Sequence, residues 1–474
     1  MIKLIIGEMV APMGGRARAE LSTVTVNRIS TDSRDIAAGD LFFALSGERF
    51  DGHEFVSAAL RGGAVSAVVA AARAGELELR LSRELERPIP AGALIEVEDP
   101  LQALNRLAAY HRGLISADVI AVVGSNGKTT TKAMIDHILS GRMSGHCSPK
   151  SFNNEIGVPL SLLSAEAPDE YLVIEIGTSA PGEVAALARI AQPNMAVITC
   201  VAEEHLEGLK DLAGVAAEEC AILGMLESRG FAAVNIDQPV VLKYLPSEGV
   251  SLVTYGCDEA ADVRVTDIRY EAPWLHFTIN GRFKYRLCVA GAHNALNAAG
   301  AITVALRLGF GHEEISERLA SFVLPPMRGE VLELDGLTVL NDAYNANPSS
   351  AEAAFNMLDS LPCQGRRIVV FGEMCELGRQ SAELHRQVAK CLLSIRVDRV
   401  YLVGPAGKLM SDVLVGEELF GPGVTCCDDV ASCRQRLLKE LGEGDLVLLK
   451  ASRAVGLDQL VEPLRQRCET SSTT

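Results

Sequence analysis

The sequence predicts an α/β protein of three domains. A small N-terminal α/β domain (1–112) precedes a central domain of P-loop type (113–325), with a mostly parallel sheet and an antiparallel patch. A C-terminal Rossmann-like domain (326–474) follows. Three observations lead there. The chain has 474 residues, about three domains at roughly 100–200 residues each. The apolar run DVIAVV (118–123) enters GSNGKTTTK (124–132) and then a helical pattern, the strand, glycine loop and helix of a phosphate-binding unit. Apolar runs alternate with helical ones through most of the chain, which predicts a parallel, doubly wound sheet.

Each element has a local reason. ALIEV (93–97) reads as a strand, and Asp99-Pro100 caps a helix with Leu101, Leu104, Leu107 and Ala108 at helical spacing. The helix after the glycine loop runs to about Leu139. YLVIEI (171–176) and MAVITCV (195–201) read as strands, with a helix starting at Pro181 between them. Residues 262–290 alternate apolar and polar, and Asn280-Gly281 is placed for a type I′ hairpin turn. HNALNAAGAITVALRLG then reads as a helix. Pro325-Pro326 marks a linker into three strand-then-polar units, RRIVVFG (366–372), DRVYLVG (398–404) and GDLVLLKASR (444–453). Their polar ends gather where α/β sheets bind ligands. The tail CETSSTT is expected to be disordered.

Composition narrows the function. With 48% hydrophobic and 22% charged residues the chain reads as soluble and globular. A net charge of −17 and no basic run argue against a nucleic-acid partner. No apolar run approaches the roughly 18–20 residues of a membrane span, and the N-terminus lacks a signal-peptide core. Twelve scattered cysteines without a C-x-x-C pair fit a reducing cytoplasm. We expect a monomer.

The loop carries the first chemistry. Gly124, Ser125, Asn126, Gly127, Lys128, Thr129 and Thr130 would cradle phosphates with backbone N–H groups and a helix N-terminus. Lys128 would reach the outer phosphates and the Thr129 hydroxyl would ligate Mg²⁺. The usual first glycine is replaced by Val122, but Gly124 and Gly127 still allow close approach. Glu175 ends an apolar strand, and a buried carboxylate needs a cation; Mg²⁺ or a structural ion pair would serve. His205 follows the next strand, where a histidine is by itself more often a capping or surface residue than a ligand. Asn294 and Asn297 could read an adenine edge or cap a helix. Arg328, just past the linker, could be delivered to a phosphate by domain closure or be a plain hinge residue. Asp342, Tyr344, Asn345 and Asn347 lie in NDAYNANPSS, where Asn347-Pro348 should start a helix.

Together these pieces resemble the ATP-dependent Mur ligases of peptidoglycan synthesis, across essentially the whole chain. That family spells its loop G-[ST]-N-G-K-[TS], without the first glycine. Three stretches carry a closer likeness to the branch that adds D-alanyl-D-alanine: ISTDSRDIAAGDLFFALSGERFDGHEFVSAALRGGA (29–64), similar to the UDP-substrate domain which that branch shares with the one adding a single amino acid, NNEIGVPLSLL (153–163), and NDAYNANPSS (341–350) with GEMCELG (372–378) after it. The D-N-P-R motif of the branch that adds a single amino acid is absent. The resemblance implies that ATP phosphorylates the carboxylate of a UDP-muramoyl tripeptide and that the amine of D-Ala-D-Ala attacks the acyl phosphate. It implies ATP and Mg²⁺ as cofactors. Lys128 would hold the β/γ-phosphates, Thr129 and Glu175 one Mg²⁺, and His205 a second. Asn294 and Asn297 would face the adenine, and Arg328 and Asp342, with Tyr344 and Asn345 beside them, would reach ATP from the third domain. Thr31, Asp32, Ser33 and Arg34 would contact the UDP moiety, and Asn153 and Asn154 the muramoyl peptide.

One position departs from the family. A lysine carbamylated by CO₂ is usual after the histidine, and in GVAAEECAIL (214–223) that place falls on Glu219. A lysine carbamate is a carboxylate on a long stem, so Glu219 is expected to supply the same charge on a short one, acting beside Lys128, His205 and Arg328. The competing placement puts Glu219 on a solvated helix face with Glu218. Other readings are another Mur ligase, a folylpolyglutamate synthase (disfavoured by the 29–64 stretch), or a non-catalytic nucleotide switch.

Overall fold

The computed structural model describes residues 4–17, 24–47, 50–84, 92–416 and 423–471. Its described strands form sheets of two, five, nine and six strands. The five-stranded sheet runs from Arg16–Ala17 through Leu94–Val97, Ser66–Ala70 and Asp40–Phe43 to Arg28–Ser30, parallel except at its first pair. The helix Pro100–Arg112 begins as expected, with the Asp99 carboxylate accepting from Leu101 N at 2.8 Å. Its Ala103, Leu104 and Leu107 join the core of this sheet, and Ile156, Leu160 and Leu163 pack on that core from the following segment.

The nine-stranded sheet centres on Asp118–Val123, flanked in parallel by Tyr171–Glu175 and Met195–Ile198. These strands are buried along their whole length, or nearly so, on both faces, as parallel strands under helices must be. The register aligns Glu175 with Val122 and Ile198 with Val123, so all three strands release their polar ends at one edge, beside the loop. The helix expected to start at Pro181 begins at Glu183, after Gly182 in the left-handed region at φ 92°. The antiparallel patch is not a separate layer. Ser251–Gly256 pairs in parallel with the start of Val263–Glu271, which continues the same sheet into Trp274–Ile279 and Phe283–Leu287. Asn280 and Gly281 both have positive φ, 52° and 62°, as a type I′ turn needs. The Arg282 N–H closes that turn on the Ile279 carbonyl at 3.1 Å. Pairing resumes at Ile279↔Phe283, one residue beyond a two-residue hairpin.

The six-stranded sheet is ordered Glu330–Leu334, Leu337–Asp342, Asp445–Lys450, Arg367–Gly372, Arg399–Val403 and Val424–Cys427, parallel after its first pair. Asn347 caps the helix Pro348–Ser360, accepting from Ser350 N at 2.8 Å. The expected disorder of the tail fails for Cys468–Ser471, which continue the helix Val461–Ser471 with Cys468 buried; the last three residues lie outside the described set. Among the described residues no helix is long and apolar enough to cross a membrane.

Candidate active site

The loop joins Asp118–Val123 to the helix Lys128–Leu139. Two of its glycines are obligatory for backbone reasons. Gly124 has φ +124°, and a Cβ there would lie 2.4 Å from Thr199 Oγ1; Gly127 has φ +83°, and its Cβ would lie 2.1 Å from Asn297 Oδ1. A side chain at either would push the loop out of shape.

Lys128 folds back over the loop, its Nζ donating to the Gly124 carbonyl and lying 3.8 Å from Glu204 Oε1. Burial works against its charge, but Glu204, Glu219 and Glu175 outweigh it and hold its pKa above the ordinary lysine value. The Thr129 hydroxyl donates to Glu175 Oε2 at 2.7 Å. The other Glu175 oxygen accepts from Asn153 Nδ2 at 3.0 Å. Lys132 Nζ stands 3.7 Å from Glu175 and donates to the carbonyls of Ser148 and Lys150 at 2.7 and 2.6 Å. Thus Thr129 and Glu175 meet at one point, as expected, and Glu175 also has a lysine neighbour that sequence reading missed.

The loop and strand ends open into a cleft of about 800 Å³. From the third domain, Arg328, Asp342, Tyr344, Asn345 and Lys450 line it. The Arg328 guanidinium lies 4.0 Å from the centre of the Tyr344 ring and donates to Ser151 Oγ at 3.1 Å. Asn126 and Asn347 pair their amides across the domains, at 2.9 and 3.3 Å. Asp342 is held by Lys450 Nζ at 2.5 Å. Lys450 ends its strand as Glu175 ends its own, and that shared pattern of a charge closing an apolar strand was the signal for it. Asn154 lines the cleft with Asn153 and caps Gly157–Leu163, accepting from Gly157 N at 2.9 Å.

Asn294, the 31–34 stretch and Glu219 each lie outside the cleft lining. Asn294 is buried, and its amide donates to the Ala290 carbonyl at 2.8 Å while its Oδ1 accepts from Asn297 at 3.1 Å. Asn297 and His293 line the cleft, and Asn294 stands behind them. Its place on the inner face of His293–Arg307 explains this. Thr31, Asp32, Ser33 and Arg34 lie beyond the end of Arg28–Ser30, away from the cleft lining, with Arg34 turned onto Asp32 Oδ2 at 2.7 Å. Glu219 is not on a solvated face, and neither is Glu218. Glu218 accepts from Gly182 N and Val184 N at 2.7 and 2.8 Å, at the start of the earlier helix Glu183–Ala191. Glu219 is 0% exposed and accepts from Gly124 N at 2.7 Å. Its other oxygen, Oε1, is buried without a protein partner. It therefore sits beneath the loop, outside the cleft lining. Burial, against the pull of Lys128, pushes its carboxyl up to about 8.

His205 stands at the cleft edge in the left-handed region, φ 50°, its Nδ1 against the Glu376 carboxylate of the third domain. The donor set suits Mg²⁺ with nucleotide. Among the described residues no three His, Cys, Asp or Glu side chains converge tightly enough to hold a metal alone. Mg²⁺ is commonly held by one or two carboxylates with phosphates and waters, and Thr129 and Glu175, in contact at 2.7 Å, offer that kind of partial shell.

Comparison with known proteins agrees with this geometry. The Mur ligase family catalytic domain matches residues 25–112, the Mur ligase middle domain 122–305, and the Mur ligase glutamate ligase domain 327–453. The UDP-N-acetylmuramoyl-tripeptide–D-alanyl-D-alanine ligase of Bacillus subtilis is 33% identical over 97% of both chains. That of Escherichia coli is 32% identical over 98% of this chain and 99% of its own. The crystal structure of MurF from Acinetobacter baumannii superposes with a TM-score of 0.81 at 26% identity, covering 97% of this chain and 98% of its own. MurF from Thermotoga maritima, solved with ADP, gives 0.79 at 29%, covering 94% and 98%. The loop, the sheet architecture and these full-length matches together establish that the chain belongs to the Mur ligase family.

Proposed function

We propose that the protein is an ATP-dependent ligase that joins D-Ala-D-Ala to UDP-N-acetylmuramoyl tripeptide in peptidoglycan precursor synthesis. The observation that carries this is one cleft lined both by the Lys128 loop and by Arg328 and Lys450 from another domain, in a chain matched end to end by ligases of that name. A carboxylate is a poor electrophile, and its attack on the γ-phosphate of ATP brings anions together, so positioning and cationic stabilisation must do most of the catalysis.

In our reading Lys128 and the loop amides hold the β- and γ-phosphates. Arg328, stacked on Tyr344, faces the transferring phosphoryl group. Asn297 and His293 contact the base, with Asn294 holding Asn297 in place. Asp342, Tyr344 and Asn345 complete the nucleotide side from the third domain, with Lys450 fixing Asp342. Thr129 and Glu175 hold one Mg²⁺ and His205 helps hold a second; bound there, the ions would neutralise phosphate charge. Glu219, neutral in the free protein, would give up its proton as the cations bind and then take the place of a carbamylated lysine, through a water at its free oxygen. The tripeptide carboxylate takes the γ-phosphoryl group and releases ADP. The dipeptide amine then attacks the acyl carbon and phosphate leaves.

Asn153 and Asn154 lie where the muramoyl peptide must approach the loop. We assign 1–112, with Thr31, Asp32, Ser33 and Arg34, to the UDP end, 113–325 to ATP, and 326–474 to the dipeptide. The protein would act as a cytoplasmic monomer, consistent with its free thiols. Phosphate release by purified enzyme should require UDP-muramoyl tripeptide and D-Ala-D-Ala together. Release with single amino acids in place of the dipeptide would point to a sister ligase. Nucleotide binding without any release would point to a switch module.

A further inference from the structure

The segment Glu376–Gln380 of the third domain touches the central domain at residues 205–210. The Glu207 N–H donates to the Glu376 carbonyl at 3.2 Å, and Gln380 Nε2 donates to the Lys210 carbonyl at 2.9 Å. Gly378, at φ +54°, packs so closely that a Cβ would lie 3.2 Å from Glu207 Cγ. In this interface the Glu376 carboxylate meets His205 Nδ1. Both residues are held in the left-handed region, at φ 63° and 50°, so each side chain is aimed by a fixed backbone.

A carboxylate only accepts, so His205 Nδ1 must carry the proton. In the neutral imidazole this leaves the lone pair on Nε2, the nitrogen that lies 3.9 Å from Glu204 Oε2, and Glu204, like His205, lines the cleft. Glu376 itself does not line it. We propose that Glu376 is a positioning residue for His205: it selects the tautomer that offers Nε2 to the nucleotide cleft, and makes that choice depend on docking of the third domain. A histidine that would help hold a cation would then be ready only when the dipeptide-side domain is in place. Carboxylates behind a ligating histidine act in this way, and their loss commonly costs 10–100-fold in metal affinity or activity. The inference rests on the ligase reading for its consequence in catalysis, but not for the tautomer itself.

The test uses full-length enzyme, the variants Glu376→Ala and Glu376→Gln, and Gln380→Ala as an interface control that does not touch His205. Two-dimensional ¹⁵N–¹H spectra of histidine-labelled protein, with the His205 signals identified by their loss in His205→Gln, should show the Nδ1–H form in the parent and in Gln380→Ala. Glu376→Ala should shift toward Nε2–H, the form favoured by an unconstrained imidazole, and Glu376→Gln should keep Nδ1–H. In turnover, Glu376→Ala should raise the Mg²⁺ concentration needed for half-maximal rate by on the order of tenfold, with the KM for D-Ala-D-Ala unchanged. A His205 spectrum indifferent to Glu376→Ala overturns the proposal whatever the enzyme's substrate. A normal Mg²⁺ dependence with a raised dipeptide KM would overturn it too, assigning Glu376 to dipeptide binding.

Discussion

Glu219 allows the sharpest test, because its cost can be worked from the structure. It is fully buried and its carboxyl is raised from 4.5 to about 8. Between those two pH values the folded protein keeps a proton that the unfolded chain has released. Its contribution to stability is therefore fully present below the unfolded value and is lost as pH rises toward the folded one. Each pH unit in that window costs the folded state about 1.4 kcal/mol. Between pH 6 and pH 8 the loss from this one group is about 2 kcal/mol, since the folded carboxyl begins to ionise near the upper end.

Glu219→Gln removes the titration and keeps an amide oxygen for the 2.7 Å bond from Gly124 N. The chain has a single tryptophan, Trp274, in the strand Trp274–Ile279 of the central sheet, so its fluorescence reports unfolding of the domain that holds Glu219. Urea denaturation without nucleotide should show the parent losing about 2 kcal/mol more than Glu219→Gln between pH 6 and pH 8. Parallel pH dependence in the two proteins would refute the assignment of a proton to Glu219 and with it the idea of an uncompensated carboxylate under the loop.

Four further outcomes are expected. Lys128→Ala should abolish ligation in a protein that still folds, since Gly124 and Gly127 still shape the loop, with some loss of stability because the buried Glu204 loses its cation; near-normal turnover would remove the loop from catalysis. Activity should be indifferent to bicarbonate depletion, because Glu219 needs no carbamylation, and CO₂-dependent turnover would contradict this. Lys450→Met should destabilise the third domain by about 2 kcal/mol by leaving Asp342 without its buried partner, and Asp342→Asn added to it should restore stability without restoring rate. Asn126→Ala and Asn347→Ala should each raise the KM for ATP, and the double variant should lose less than the sum. Additive losses would mean the two amides do not act as a pair.

How much of this was legible in the sequence depended on range. The loop, its strand and the cap at Asp99 are set by neighbours a few residues apart, and their residue types announce them. Asn347-Pro348 declared a helix start for the same reason. Asn294 misled because an amide near a helix start reads alike whether it caps the helix, faces a ligand or holds a neighbour; only the packing of His293–Arg307 against Lys128–Leu139 decides. For Glu218 and Glu219 the sequence left a solvated pair open as the alternative to a functional Glu219, since adjacent carboxylates are usually solvated. Their burial depends on amide donors 36 and 95 residues away, at Gly182 and Gly124. Lys450 carried a signal, a charge closing an apolar strand, but its partner Asp342 lies 108 residues earlier in the chain; Glu376 carried none, its partner His205 lying 171 residues earlier.

The charges of the cleft carry one more step of argument. Lys128, Arg328 and Lys450 line it, against Glu155, Glu175, Glu183, Glu204, Asp237 and Asp342. A triphosphate entering alone would meet more anionic than cationic side chains, in a site whose low dielectric strengthens repulsion. Two of the three cations are already engaged, Lys450 by Asp342 and Lys128 by Glu204. An acidic phosphate site of this kind works only if the nucleotide brings its own cations. Glu175, which accepts from Thr129 and Asn153 with Lys132 close by, is then a carboxylate held in place for an ion that arrives with its substrate. On the proposed reading the acidity of the site would be part of its selectivity, favouring ATP as its magnesium complex over the free polyanion.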